Sequence, residues 1–182
     1  MARQTGAEAA FAKAIAQRRD SAKVREGWIR LAVNVLTLVL VLWLVFSFVL
    51  CIFRAQGNDM YPAVQDGDLI IGWRLGRDWR QGDLVVYEEG GKTQAGRVVA
   101  TGGDIVDVTD SGTLTVNGTP ESRALYETDG GDAIAYPYVV PEGEVFILGD
   151  FRTQAHDSRE FGSVPETDIE ATAIGLLRRR NF

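Results

Sequence analysis

Twenty-three consecutive residues without a charge, Leu31 to Phe53 (LAVNVLTLVLVLWLVFSFVLCIF), constrain this chain more than anything else in it. As a helix rising about 1.5 Å per residue they reach roughly 34 Å, enough to cross a hydrocarbon core of roughly 30 Å. A cleavable signal peptide is the competing reading, but its apolar core runs about 7 to 15 residues and ends at small residues. Cys51-Ile52-Phe53-Arg54 is a poor exit of that kind, so a retained anchor is expected. Arg3, Lys13, Arg18, Arg19, Lys23, Arg25 and Arg30 precede the run, whereas Arg54 alone lies immediately after it. Positive charge marks the cytoplasmic side. The expected organisation is therefore a basic cytoplasmic tail (1–30), a transmembrane helix (31–53) and an outer domain (54–182) of a single-pass plasma-membrane protein.

Within the tail, EAAFAKAIAQRRDSAKV reads either as an amphipathic helix with Phe11 and Ile15 on one side or as a frayed basic segment near anionic headgroups. The net charge of −6 conceals a division. Residues 1–30 hold seven of the 19 basic and three of the 25 acidic side chains, leaving 12 against 22 for the rest. An outer domain that acidic repels phosphate backbones, and nucleic acid is not an expected partner. One cysteine, Cys51, and one histidine, His156, leave no intrachain disulfide and no Cys/His zinc cluster. Trp73, Trp79 and Tyr87 read as core or interfacial residues, so no cofactor is expected.

From residue 54 onward, short β-branched runs alternate with Gly and Asp. Strands are expected at Leu69–Trp73, Asp83–Tyr87, Gly96–Ala100, Ile105–Val108, Leu114–Val116, Tyr138–Val140, Val145–Leu148 and Ala173–Leu177. QDGD, RQGD, EEGGK, TGGD, VNGT and PEGE supply the turns. The fold class is mainly β behind an N-terminal transmembrane helix. Glu121 to Ala135 reads as a long polar surface loop, and Arg178 to Arg180 as a solvated charge run with membrane-surface contact as the alternative.

Six segments occur in one order: GNDMYPAVQDGDLII, GDLVVY, GRVVATGGDIV, TVNG, VPEGEVFILGD and HDSREFG. In that order they resemble the type I signal peptidases, membrane-anchored serine–lysine proteases, from the span to the C-terminus. The resemblance implies an anchored, mainly β catalytic domain on the outer face of the membrane. It also implies a serine directly before Met-x-Pro and a lysine directly before Arg-Val-Val. Such chemistry needs an amine kept neutral by burial to take the serine proton. Here those two positions are Asp59 and Gly96.

Lys92, in GGKTQAG, reads as a solvated loop residue, and His156 as a structural or surface histidine. Asp59 as a carboxylate nucleophile or half of an acid dyad would need a second carboxylate, with Asp150 and Asp157 the conceivable partners. By the resemblance, Gly149, Asp150, Asp157, Ser158 and Arg159 are structural, supporting the site from behind. Replacement of both catalytic positions within otherwise intact motifs leads to the expectation of a chain that is not an enzyme. The sequence further resembles the signal-peptidase-like proteins that accompany the pili of Gram-positive bacteria, implying a chaperone or scaffold with a pilin subunit or the pilus sortase as partner.

The groove that signal peptidases use for signal-peptide processing holds an extended peptide by strand-edge pairing. Its matching residues here are Gln56, Gly57, Asn58, Asp59, Met60 and Tyr61, with Leu69, Ile70 and Ile71. Asp59 either pairs a partner's cation or backbone N–H groups in an open cleft, or is held internally in a plugged one. An active signal peptidase with an atypical catalytic group and an adaptor unrelated to pili are the competing functions.

Overall fold

A computed structural model describes residues 25–121, 127–131 and 133–178. The amphipathic segment around Phe11 and Ile15, most of the basic tail, and Arg179 and Arg180 lie outside the described residues. The chain divides into Met1–Val45 and Phe46–Phe182. Helix α1 (Arg25–Val49) has 25 residues and is long and apolar enough to cross a membrane. Every side chain from Arg25 to Leu44 is exposed. Lipid is the solvent in which such a surface is stable, because its backbone groups are satisfied internally and its side chains match hydrocarbon. The helix stops four residues before the end of the uncharged run, and Leu50–Phe53 enter a strand instead.

In the second unit, β1 (Leu50–Arg54), β2 (Leu69–Trp73), β3 (Leu84–Glu89), β4 (Lys92–Thr101), β9 (Glu144–Leu148), β10 (Val164–Pro165) and β11 (Ile169–Leu177) form one antiparallel sheet. Its order is β1-β2-β11-β3-β4-β9-β10. A second sheet, β7-β6-β5-β8, contains β5 (Ile105–Val108), β6 (Leu114–Val116), β7 (Thr119–Pro120) and β8 (Tyr138–Val139). A single turn of helix, α2 (Ser158–Phe161), precedes β10. The mainly β expectation holds. Strands β1, β7 and β10 were not legible, because two of them are only two residues long and β1 hides in the apolar run.

Alternation within the strands builds the core. In β3, Val85 and Tyr87 join Val98, Val145 and Ile147 on one face, while Val86 joins Ala55, Met60, Val64 and Ile70 on the other. In β9, Phe146 and Leu148 turn instead toward Val106, Leu114 and Val116 of the second sheet. Both faces of these central strands are covered, which is why their sequences read as continuous apolar runs.

Candidate functional site

The chain reverses between β3 and β4 through Gly90 and Gly91, whose φ values of +58° and +75° are those of a two-residue hairpin turn. Strand β4 therefore begins at Lys92, four residues before the expected start at Gly96. Lys92 is a strand residue, which corrects its assignment to a loop. The Gly-Gly pair between two apolar runs was the available signal for this boundary.

Strand β4 is paired with β3 along its whole first half, from Glu89–Lys92 to Leu84–Arg97. Its pairing with β9 begins only at Arg97, opposite Leu148. Lys92 to Gly96 thus have a ladder on one side only. On this stretch opens a cavity of about 530 Å³, lined by Lys92, Thr93, Gln94 and Ala95 together with Phe53, Ala55, Gln56, Gly57, Asp59, Met60, Val64 and His156. Of the expected groove residues, Gln56, Gly57, Asp59 and Met60 line it. Leu69, Ile70 and Ile71 belong to β2 and do not: Ile70 is fully buried in the core and Leu69 lines a different cavity. Asn58 and Tyr61 flank the lining through the turn they close, Tyr61 N–H donating to the Asn58 carbonyl (2.9 Å).

Asp59 is fixed through its backbone. Its carbonyl accepts from Phe151 N–H (2.8 Å), which ties the Asp59 turn to the segment after β9. Gly149 allows this approach, since a Cβ there would stand 2.3 Å from the Ala155 Cβ and 2.7 Å from the Asp59 carbonyl oxygen. Beneath lies a polar support. Asp157 accepts from Gly149 N–H (2.9 Å), Arg159 Nε (2.8 Å) and Arg159 Nη2 (3.0 Å), and Ser158 Oγ accepts from Ile147 N–H (3.0 Å). Asp150 accepts both prongs of Arg97 (2.7 and 2.6 Å). None of these five motif residues lines the cavity: Gly149 meets the Asp59 backbone, and Asp157 with Arg159 holds Gly149 from behind.

Burial raises the Asp59 carboxyl above the ordinary carboxylate range, and the Asp157 charge adds to the rise while His156 opposes it. Asp59 and Asp157 are therefore electrically coupled, with Asp157 committed to Arg159. His156 is exposed, shares a hydrogen bond with Glu160 (Nδ1 to Oε2, 2.6 Å) and stacks edge-on against Phe161. A carboxyl whose pKa is higher folded than unfolded binds its proton better in the folded state. Stability from Asp59 is therefore lost as pH rises from 3.8 through the raised value. Asp59→Asn is expected to be more stable than the native protein at neutral pH, and this advantage should vanish near pH 3 in denaturant titrations at the two pH values.

At the position where the resemblance implies a lysine, Gly96 is packed shut. A Cβ there would lie 2.4 Å from Ile147 Cγ2 and 3.0 Å from the ring of Tyr87. Tyr87 is buried, and burial, followed by the charges of Asp157 and Asp59, pushes its phenol well above its ordinary range. The Tyr87 ring thus covers the place from which a lysine would leave the strand. Nothing in the sequence pointed to this, since Tyr87 and Gly96 meet only across the β3–β4 pair.

A family model described as "Signal peptidase, peptidase S26" matches residues 28–177. Signal peptidase I of Bacillus licheniformis is 27% identical over 161 residues, 80% of this chain and 84% of that protein. Signal peptidase IB of Staphylococcus aureus is 27% identical over 159 residues, 75% of this chain and 82% of that protein. A crystal structure of a signal peptidase I from Enterococcus faecalis V583 is similar over 52% of this chain and 96% of its own, with 26% identity and a TM-score of 0.45. The Bacillus and Staphylococcus relatives are named as signal peptidases, and that overturns the expectation that the chain is not an enzyme. Asp59 and Gly96 stand where the resemblance implies a serine and a lysine. With its match running from the apolar helix to the last strand, the chain belongs to the signal peptidase family, peptidase S26.

Proposed function

We propose that the chain holds an extended segment of an exported protein in the cleft beside β4, anchored by α1 with the β domain on the outer face of the membrane. One observation carries this reading: the half-paired edge Lys92–Gly96 borders a cavity of about 530 Å³. Backbone groups along such an edge pair with an added strand whatever residue stands at the nucleophile position. A pilin subunit or the pilus sortase is the proposed source of the segment, making the protein a chaperone or scaffold of pilus assembly. The carboxylate of Asp59 suits a cation or N–H groups on that segment. A second reading, cleavage of the bound segment, is favoured by the peptidase relatives and by Asp59, Lys92 and His156 lining one cavity.

The test uses the full chain in detergent micelles, with a labelled signal-peptide-bearing precursor and a labelled extended pilin segment. Fluorescence anisotropy reads binding and mass spectrometry reads products. Ala95→Phe, which fills the cavity from β4, is expected to weaken binding of the segment by about tenfold or more, as loss of one buried anchor does. Product that disappears in Asp59→Ala establishes the second reading. Equal affinity of the native protein and Ala95→Phe would discard the cleft as the binding site.

A further inference from the structure

The cleft beside β4 carries unpaired charge of opposite sign. Its titratable lining residues are Asp59, Lys92 and His156. His156 is already engaged by Glu160 (2.6 Å). The Asp59 carboxyl is half-buried, yet it enters no hydrogen bond or ion pair among the described residues. A cation placed against it offsets the burial that raises its pKa. The Lys92 ammonium is likewise unpaired among them. Glu89 stands directly opposite it on β3, where opposite charges on neighbouring strands meet. No ion pair forms there, and Lys92 lines the cavity instead. Arg97, the other cation of β4, is committed to both oxygens of Asp150.

Strand geometry sets the spacing of these two charges. Leu148 of β9 pairs with Arg97, so Gly149 comes level with Gly96, and Gly149 packs on the Asp59 carbonyl. Asp59 therefore stands at the Gly96 end of the half-paired edge, and Lys92 at its start. Four residues rising about 3.3 Å each put about 13 Å between the two ends. A chain added to this edge has the same rise, and its residues n and n+4 share a face. A carboxyl without a donor and an ammonium without an acceptor are both stabilised by a segment that brings charged partners at that spacing.

We propose that the segment held in this cleft carries a basic residue facing Asp59 and, four positions away, an acidic residue facing Lys92. The inference rests on the cleft reading above and adds to it a rule of selection by charge. In a segment antiparallel to β4 the basic residue comes first, and in a parallel one the acidic residue does.

Fluorescence anisotropy of the full chain in micelles tests this with short labelled peptides that differ at two positions only. One carries arginine and then glutamate four positions later, a second has the reverse order, and a third has glutamine at both. One of the two charged peptides is expected to bind about thirtyfold tighter than the neutral one. That is about tenfold from a charge-assisted bond to half-buried Asp59 and about threefold from the exposed Lys92 pair. Asp59→Asn is expected to remove the tenfold part and Lys92→Gln the threefold part. Lys92→Glu, at an exposed position, is expected to reverse the preference there, so that a peptide with arginine at both positions binds best. Equal affinity of native protein for charged and neutral peptides, with both weakened by Ala95→Phe, would overturn the charge rule and leave the cleft as the binding site. Charge preference that survives both Asp59→Asn and Lys92→Glu would also overturn it. Equal binding of every peptide by the native protein and Ala95→Phe would remove the cleft reading and this inference with it.

Discussion

Asp157→Ala is expected to lower the unfolding free energy by about 3–5 kcal/mol, the cost of removing one member of a buried ion pair. The carboxylate is 1% exposed and accepts from Gly149 N–H, Arg159 N–H and two guanidinium nitrogens of Arg159. Without it the Arg159 guanidinium, whose side chain is 7% exposed, is left a buried cation with only the carbonyls of Asp129 and Ala155. Gly149 N–H, directly beneath the Asp59 carbonyl, loses its acceptor as well. Denaturant titration of the full chain in micelles reads the loss. Asp157→Ala/Arg159→Met is expected to recover much of it, because the uncompensated charge rather than the missing pair dominates the cost. A loss below about 1 kcal/mol in the single variant would show that water or another acceptor reaches this floor.

Gly96→Ala is expected to cost about 1–3 kcal/mol, the range for overfilling a packed core. Its Cβ meets Ile147 and Tyr87, which are 0% and 1% exposed, so neither neighbour retreats into open space. Gly96→Lys is expected to be worse, adding an ammonium between two apolar groups. Restoring a family-like pair with Asp59→Ser and Gly96→Lys therefore meets the ring that now occupies the lysine's path. Tyr87→Ala removes that ring at its own cost of several kcal/mol, about 3–5 for a buried aromatic. The informative quantity is the coupling. Gly96→Lys and Tyr87→Ala together should be less damaging than their sum by at least about 1 kcal/mol, the scale seen for residues in contact. Strict additivity would mean that Ile147 alone closes the position.

Much of the architecture was legible because it depends on short-range rules. The uncharged run outlasts any signal-peptide core, and period-two alternation bounded by Gly and Asp marks strands. β2, β5 and β6 have the boundaries read from the sequence. The end of α1 was not legible, since Leu50–Phe53 are as apolar as the helix before them. What turns them into a strand is pairing with Trp73 to Ile70, residues some twenty positions away. The candidate site was legible in half. Gln56, Gly57, Asp59 and Met60 sit on a local turn and were found. Thr93, Gln94 and Ala95 were missed because the Gly90–Gly91 hairpin, not the composition of the strand, sets where β4 begins.

By itself the sequence determined the apolar helix, the mainly β domain and the motif order in which Asp59 and Gly96 stand where the resemblance implies a serine and a lysine, because each follows from runs, periods and order along the chain. Only the tertiary structure decided what those positions can do. Asp59 gains its raised pKa from burial above Asp157, and Gly96 is closed by Tyr87 from the neighbouring strand and Ile147 from β9. Such properties arise from contacts between residues distant in sequence, and packing across the sheet creates them.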